Sequence, residues 1–350
     1  MKRFVAVATE TNVLNLVAVL ALADANDEVV VLQDHRAREA RQGERLKSVL
    51  ADRGHTTLIV DVDGASPEAL QAELAAGWRL AQHDTGTDYL LAIGGRKRDT
   101  LMLAELLRRQ ARQSGRTWQV ISIGEKPACV EWLKLDDPAG VLAGSVALHE
   151  LPGEKCVRLD DVLRLHDYVR SPVKPGTRLV FAAPFSLRPP SQSGQTQHGD
   201  ALEHLVAHLV HAHLATELRQ QVAEIWFGVE MRHGGATLAA SEFDVLLLLR
   251  DGRGIHFECK SGGTGGAKAL QAKMFQLRRA LTPHSGFVLC RQAPSKNGNR
   301  AQLHDIQSTR AALARTYQHL GNFGVWLIDA TASQNQHMRG LAESVRGLQF

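Results

Sequence analysis

One short stretch sets acidic side chains and a lysine at spacings that could do chemistry. It reads Ser241-Glu242-Phe243-Asp244, then Val245 and four leucines, then Arg250-Asp251-Gly252-Arg253-Gly254. The run Ile255-His256-Phe257-Glu258-Cys259-Lys260 follows. Asp251-Gly252 is a turn signal between two β-rich arms. Folded antiparallel about Gly252, the arms bring Asp244 opposite Lys260. Glu258 and Lys260 are two residues apart and leave the same face of a strand. The spacing therefore predicts that Asp244, Glu258 and Lys260 converge on one patch.

Two carboxylates this close repel each other, and beside apolar strands they are costly without a counter-ion. A divalent cation supplies one, and ligation by oxygen alone points to Mg²⁺ or Mn²⁺. A lysine beside such an ion orients the attacking water and steadies phosphate charge. The competing reading is an edge hairpin with a surface salt-bridge trio. The apolar runs Val245–Leu249 and Ile255–Phe257 favour buried central strands, where an acid without a counter-charge is expensive.

The elements that must position these residues fall into two groups. Residues 1–125 alternate β-rich runs (Phe4–Ala8, Glu28–Leu32, Thr57–Asp61, Tyr89–Ile93, Gln119–Ile123) with helical stretches near 13–23, 36–53, 67–82 and 98–113. Strands separated by helix-length segments predict an α/β, Rossmann-like domain with a parallel sheet. From 128 to 170 the pattern shortens into apolar runs with Gly and Pro turns. Pro189-Pro190 and Ser191-Gln192-Ser193-Gly194-Gln195 then read as a linker or exposed loop. The expected division is 1–150, a connecting segment over 151–198, and a second domain over 199–350. That second domain is predicted to be a mixed sheet with helices at 200–223, 267–281 and 301–319. Its strands are expected at 223–230, across the hairpin at 242–260, at 286–290 and at 324–328.

Two loops at the carboxyl ends of the first sheet carry groups suited to an anion. After strand one, Thr9-Glu10-Thr11-Asn12 offers short polar donors at a helix N-terminus. After strand four, Gly94-Gly95-Arg96-Lys97-Arg98 combines close backbone approach with three cations. Neither is a G-x-G-x-x-G or a P-loop, and a Gly turn with a charged helix start accounts for the second equally well.

The run Gly199-Asp200-Ala201-Leu202-Glu203, then Glu242-Phe243-Asp244-Val245, then Glu258-Cys259-Lys260 resembles the PD-(D/E)xK nucleases of restriction-endonuclease-like fold. It is most similar to the CRISPR ancillary nucleases that join this domain to an N-terminal CARF sensor. The resemblance implies that Asp244, Glu258 and the Cys259 backbone carbonyl hold the metal, with Glu203 completing the acidic cluster. It makes Lys260 the catalytic lysine and Lys268 and Gln271 second-tier candidates. Phe243 stands where the family name has Pro, at a position that does not ligate. For the first domain the resemblance implies a cyclic oligoadenylate, cyclic tetra-adenylate foremost, bound by Thr9, Thr11, Asn12, Gly94, Gly95, Arg96 and Lys97 across a homodimer axis. Single-stranded DNA, nicked duplex DNA and RNA all stand as substrates of a type III CRISPR defence nuclease. The alternatives are a constitutive restriction-like DNA-processing nuclease and a non-catalytic nucleotide sensor.

Charge distribution fits this division. The 350 residues carry 41 basic and 37 acidic side chains, but residues 1–150 hold 18 and 21 while residues 151–350 hold 23 and 16. The basic second half suits a polyanion. Lys268, Lys273, Arg278 and Arg279 share one helix, and both phosphate contact and a solvated face are open to them. Four scattered cysteines argue against a zinc ribbon or a disulfide scaffold. His204, His208, His211 and His213 lack an H-E-x-x-H pattern and are expected to be exposed or satisfied in the core. The apolar run Val13–Ala23 is too short to span a bilayer. A cytoplasmic protein with no membrane role is expected.

Overall fold

The computed structural model describes residues 2–10, 12–62, 69, 72, 86–93, 100–105, 108, 117–125, 128–134, 142–180, 197–237, 240–260, 267–293, 311–315, 321–329, 332–346 and 348. They form two compact units. One comprises Met1–Val157, Arg164–Asp167 and Arg250–Gly252; the other comprises Arg158–Leu163, Tyr168–Leu249 and Arg253–Phe350. Among the described residues no helix is long and apolar enough to cross a membrane.

In the first unit β1 (Arg3–Val7), β2 (Glu28–Gln33), β3 (Thr56–Asp61), β4 (Thr87–Leu91) and β5 (Thr117–Glu125) lie parallel. An antiparallel pair, β6 (Ala128–Lys134) and β7 (Leu142–Ala147), extends the sheet to the order β3-β2-β1-β4-β5-β6-β7. Helix α1 (Asn12–Leu22) is apolar nearly all round and is buried along most of its length, as such a helix must be. The single helix expected over 36–53 is two, α2 (His35–Glu39) and α3 (Gln42–Asp52). Arg41 between them takes a left-handed backbone at φ 55°, which no helix sustains.

The second unit holds a mixed sheet of order β14-β13-β12-β11-β10-β8, with β9 also on β10. Its strands are β8 (Tyr168–Arg170), β9 (Thr177–Leu179), β10 (Val222–His233), β11 (Ser241–Leu249), β12 (Gly254–Lys260), β13 (Gly286–Gln292) and β14 (Phe323–Ile328). Helix α4 (Leu159–Leu165) precedes them. The helix expected over 200–223 stops at His213 as α5 (Gln197–His213). A short α6 (Thr216–Gln221) then leads into β10, and α7 (Ala267–Ala280) and α8 (Gln334–Arg346) follow. Alternation gives the sheet its core. Val245, Leu247 and Leu249 of β11 and Ile255, Phe257 and Cys259 of β12 cluster with Leu202, Val206, Leu209 and Val210 of α5.

One register differs from expectation. β11 and β12 pair as Val245↔Phe257, Leu246↔His256, Leu247↔Ile255 and Leu248↔Gly254. That centres the hairpin on Asp251 rather than Gly252. The loop is three residues, closed by the Leu249 N–H on the Arg253 carbonyl at 2.7 Å, with Gly252 at φ +84°. A three-residue loop with its last residue left-handed needs glycine there. The shift sets Asp244 across from Glu258 instead of Lys260, so the two acids themselves face one another.

Candidate metal centre

The paired register of β11 and β12 ends at Val245↔Phe257, where the ladder gives way to bonds between side chain and backbone. The Cys259 N–H donates to Asp244 Oδ2 at 2.7 Å, and the Asp244 N–H donates to His256 Nε2 at 3.2 Å. Asp244 and Glu258 are buried, Glu258 completely. Lys260, two residues on, forms an ion pair with Glu258 Oε1. Lys273 of α7 reaches both oxygens of the same carboxylate, at 2.8 and 2.7 Å.

Two overlapping groups can hold a cation. Asp244, His256 and Glu258 form one, and Glu203 of α5, Glu242 and Asp244 form the other; the ligand atoms of each lie within 4.8 Å of one another. Asp244 belongs to both. Glu242 also takes an ion pair from Lys174, which lies between β8 and β9. Donor type, burial and mutual approach fit a divalent cation; His256 Nε2 of the first group already accepts the Asp244 N–H, which leaves the carboxylate oxygens as donors.

The electrostatics follow from burial. Loss of solvent, then the Glu258 charge, pushes the Asp244 carboxyl up to about 6, against the opposing pull of Lys273, the Cys259 N–H and Lys260. Burial pulls the Lys260 ammonium down, but its hydrogen bond and charge interaction with Glu258, and then the Asp244 charge, leave it raised. Burial, followed by the charges of Lys273 and Lys260, holds His256 well below its ordinary value, so the ring is uncharged.

Asp244, Glu258 and Lys260 are thus brought together, and Glu203, which the resemblance implies, lies with Asp244 and Glu242. Cys259 follows Glu258 on β12, its thiol in the buried core. Lys268 and Gln271 are exposed on α7, and Lys273 is the residue of that helix on Glu258. His256 and Glu242 were open to the same alternation argument, since 256, 258 and 260 share one face and 242 and 244 another. Lys174 carries no such signal. The α5 histidines are structural where their contacts are described: His211 Nε2 meets the Val180 carbonyl at 3.1 Å, and His204 packs on Phe227.

In the first unit the strand order reverses between β1 and β4, so the carboxyl ends of these strands flank the crevice where such sheets take ligands. Thr9 lies in the first loop, its N–H donating to Asn12 Oδ1 at 3.0 Å. Asn12 is buried and also donates to the Gln42 carbonyl at 2.9 Å. Thr11, Gly94, Gly95, Arg96 and Lys97 lie outside the described residues.

The sequence matches no protein-family model and no curated protein. Solved structures match along the whole chain. A protein of Vibrio cholerae, VC1899, aligns with TM-score 0.64 and 12% identity, over 99% of this chain and 98% of its own. Can2 from Sulfobacillus thermosulfidooxidans, solved in complex with cyclic tetra-adenylate, aligns with TM-score 0.63 and 12% identity, over 99% of each chain. A type III CRISPR defence DNA nuclease activated by cyclic oligoadenylate aligns with TM-score 0.51 and 18% identity, over 85% of this chain and 47% of its own. The likeness is one of fold: a mixed α/β chain built on two mixed sheets.

Proposed function

We infer that this chain is a metal-dependent nuclease of type III CRISPR defence, switched on by a cyclic oligoadenylate, with cyclic tetra-adenylate the first candidate. The observation that carries the inference is the buried Asp244–Glu258 pair with Lys260 on it, in a chain whose full length shares its fold with a cyclic tetra-adenylate complex. We assign ligand sensing to residues 1–150 and catalysis to residues 199–350, in a homodimer.

Asp244 and Glu258, with the Cys259 carbonyl, would hold Mn²⁺ or Mg²⁺, and Glu203 and Glu242 complete the acidic surround. When bound, the ion supplies Lewis acidity and lowers the pKa of attached water. Lys260 orients the attacking water and steadies charge on the scissile phosphate. Lys273 fixes the Glu258 carboxylate from α7, and the buried strands keep bulk water from both acids. The basic surplus of residues 151–350 favours a polyanionic strand, whether DNA or RNA.

A cleavage assay crossing cyclic oligoadenylates of different ring size with single-stranded DNA, nicked duplex and RNA tests this reading. Cleavage should require both Mn²⁺ or Mg²⁺ and the cyclic activator. Equal rates with and without the activator would sink the sensing role and leave a constitutive nuclease. Undiminished cleavage by Glu258→Ala or Lys260→Ala would remove the site.

A further inference from the structure

We propose that His256 is a positioning residue of this site, its Nε2 accepting the Asp244 backbone N–H and so fixing how far apart Asp244 and Glu258 stand where β11 and β12 fork. The inference rests on reading those two acids as metal ligands. Past Val245↔Phe257 the ladder no longer holds the strands in register, and the Asp244 amide needs another acceptor. His256 Nε2 provides it at 3.2 Å, and the same atom stands 3.4 Å from Glu258 Oε2. One ring atom therefore touches the backbone of one ligand and the side chain of the other.

The ring has little room to turn. It is fully buried, with Phe243 edge-on at 4.8 Å and Phe287 edge-on at 5.1 Å. Accepting at Nε2 puts the proton on Nδ1, which is buried with no hydrogen-bond partner among the described residues. A core packed only for apolar contact would take Phe or Leu here and avoid that orphaned nitrogen. The acceptor at Nε2 is what a histidine adds. With Nε2 already accepting the Asp244 N–H, its 3.4 Å approach to Glu258 Oε2 is a packing contact and not an ion pair.

Calorimetric titration of Mn²⁺ into the wild type, His256→Phe and His256→Gln tests the proposal, with circular dichroism and thermal unfolding of each protein alongside. His256→Phe keeps the ring volume and removes the acceptor; its Mn²⁺ affinity should fall about tenfold, as for other partners of metal ligands. His256→Gln restores an acceptor oxygen and should bind Mn²⁺ within about threefold of wild type, a rescue that a purely structural role would not produce. Wild-type affinity in His256→Phe, or equal losses in both variants, overturns the proposal while leaving the metal site standing. A wild type that binds no Mn²⁺ overturns the metal site itself. Nitrogen-15 spectra of histidine-labelled wild type provide a measurement independent of how the variants fold. Unprotonated Nε2 with protonated Nδ1 supports the proposal, and the opposite tautomer overturns it. Hyperfine coupling of bound Mn²⁺ to a directly bonded imidazole nitrogen also overturns it, by making His256 a ligand.

Discussion

In the metal-free protein the Asp244 carboxyl titrates near 6, raised first by burial and then by the Glu258 charge. The same side chain in the unfolded chain titrates near 3.8. Below the lower value both states are protonated, and the folded state bears no penalty. As pH rises from about 4 through 6 the unfolded state ionises first, so stability is lost across that window, by up to roughly 3 kcal/mol. Thermal unfolding of the metal-free protein should therefore show the second unit several degrees more stable at pH 5 than at pH 7.5. Mn²⁺ should close most of the gap at the higher pH. A flat profile without metal would mean that Asp244 is far better solvated than its burial implies. Asp244, Glu258 and Lys260 were legible in sequence because each interrupts or ends an apolar strand. Lys174 was not, because its ion pair with Glu242 links residues far apart in the chain, with no pattern between them.

At the scale of elements, α7 distinguishes two lysines that look alike in sequence. Lys273 is half-buried on the fully buried Glu258, whereas Lys268 is exposed. Removing one partner of a buried ion pair strands the other. Lys273→Met should thus cost about 2–3 kcal/mol in urea unfolding without metal, whereas Lys268→Met should stay within about 0.5 kcal/mol. Equal effects would mean that Lys260 alone neutralises Glu258. The strands of both sheets were readable from their apolar runs, but the register of β11 on β12 was not. A two-residue and a three-residue loop around Asp251-Gly252 have the same composition and differ only in which residue takes the left-handed backbone. The three-residue strands β8 and β9 are too short to show alternation, and α8 hides its buried Leu341 among polar neighbours and Gly340. Within the stretch expected over 36–53, the left-handed Arg41 carries no marker such as Gly or Asn.

At the scale of the whole molecule, the proposed function assigns the two units different ligands, and binding must appear as stability. A ligand that binds only the folded first unit stabilises it by about 2.7 kcal/mol at one hundred times its dissociation constant. Cyclic tetra-adenylate should therefore raise the first unit's unfolding midpoint in calorimetry, and linear tetra-adenylate should do so less. No shift with any ring size would end the sensing role. The four cysteines give a way to watch each unit separately. Cys129 and Cys156 belong to the first and Cys259 and Cys290 to the second, and all four are buried. A thiol reagent added to the folded protein can reach them only when the surrounding structure opens. Alkylation timed by mass spectrometry thus makes the protein its own two-channel clock, one pair of sulfurs counting openings of each unit, with no probe introduced.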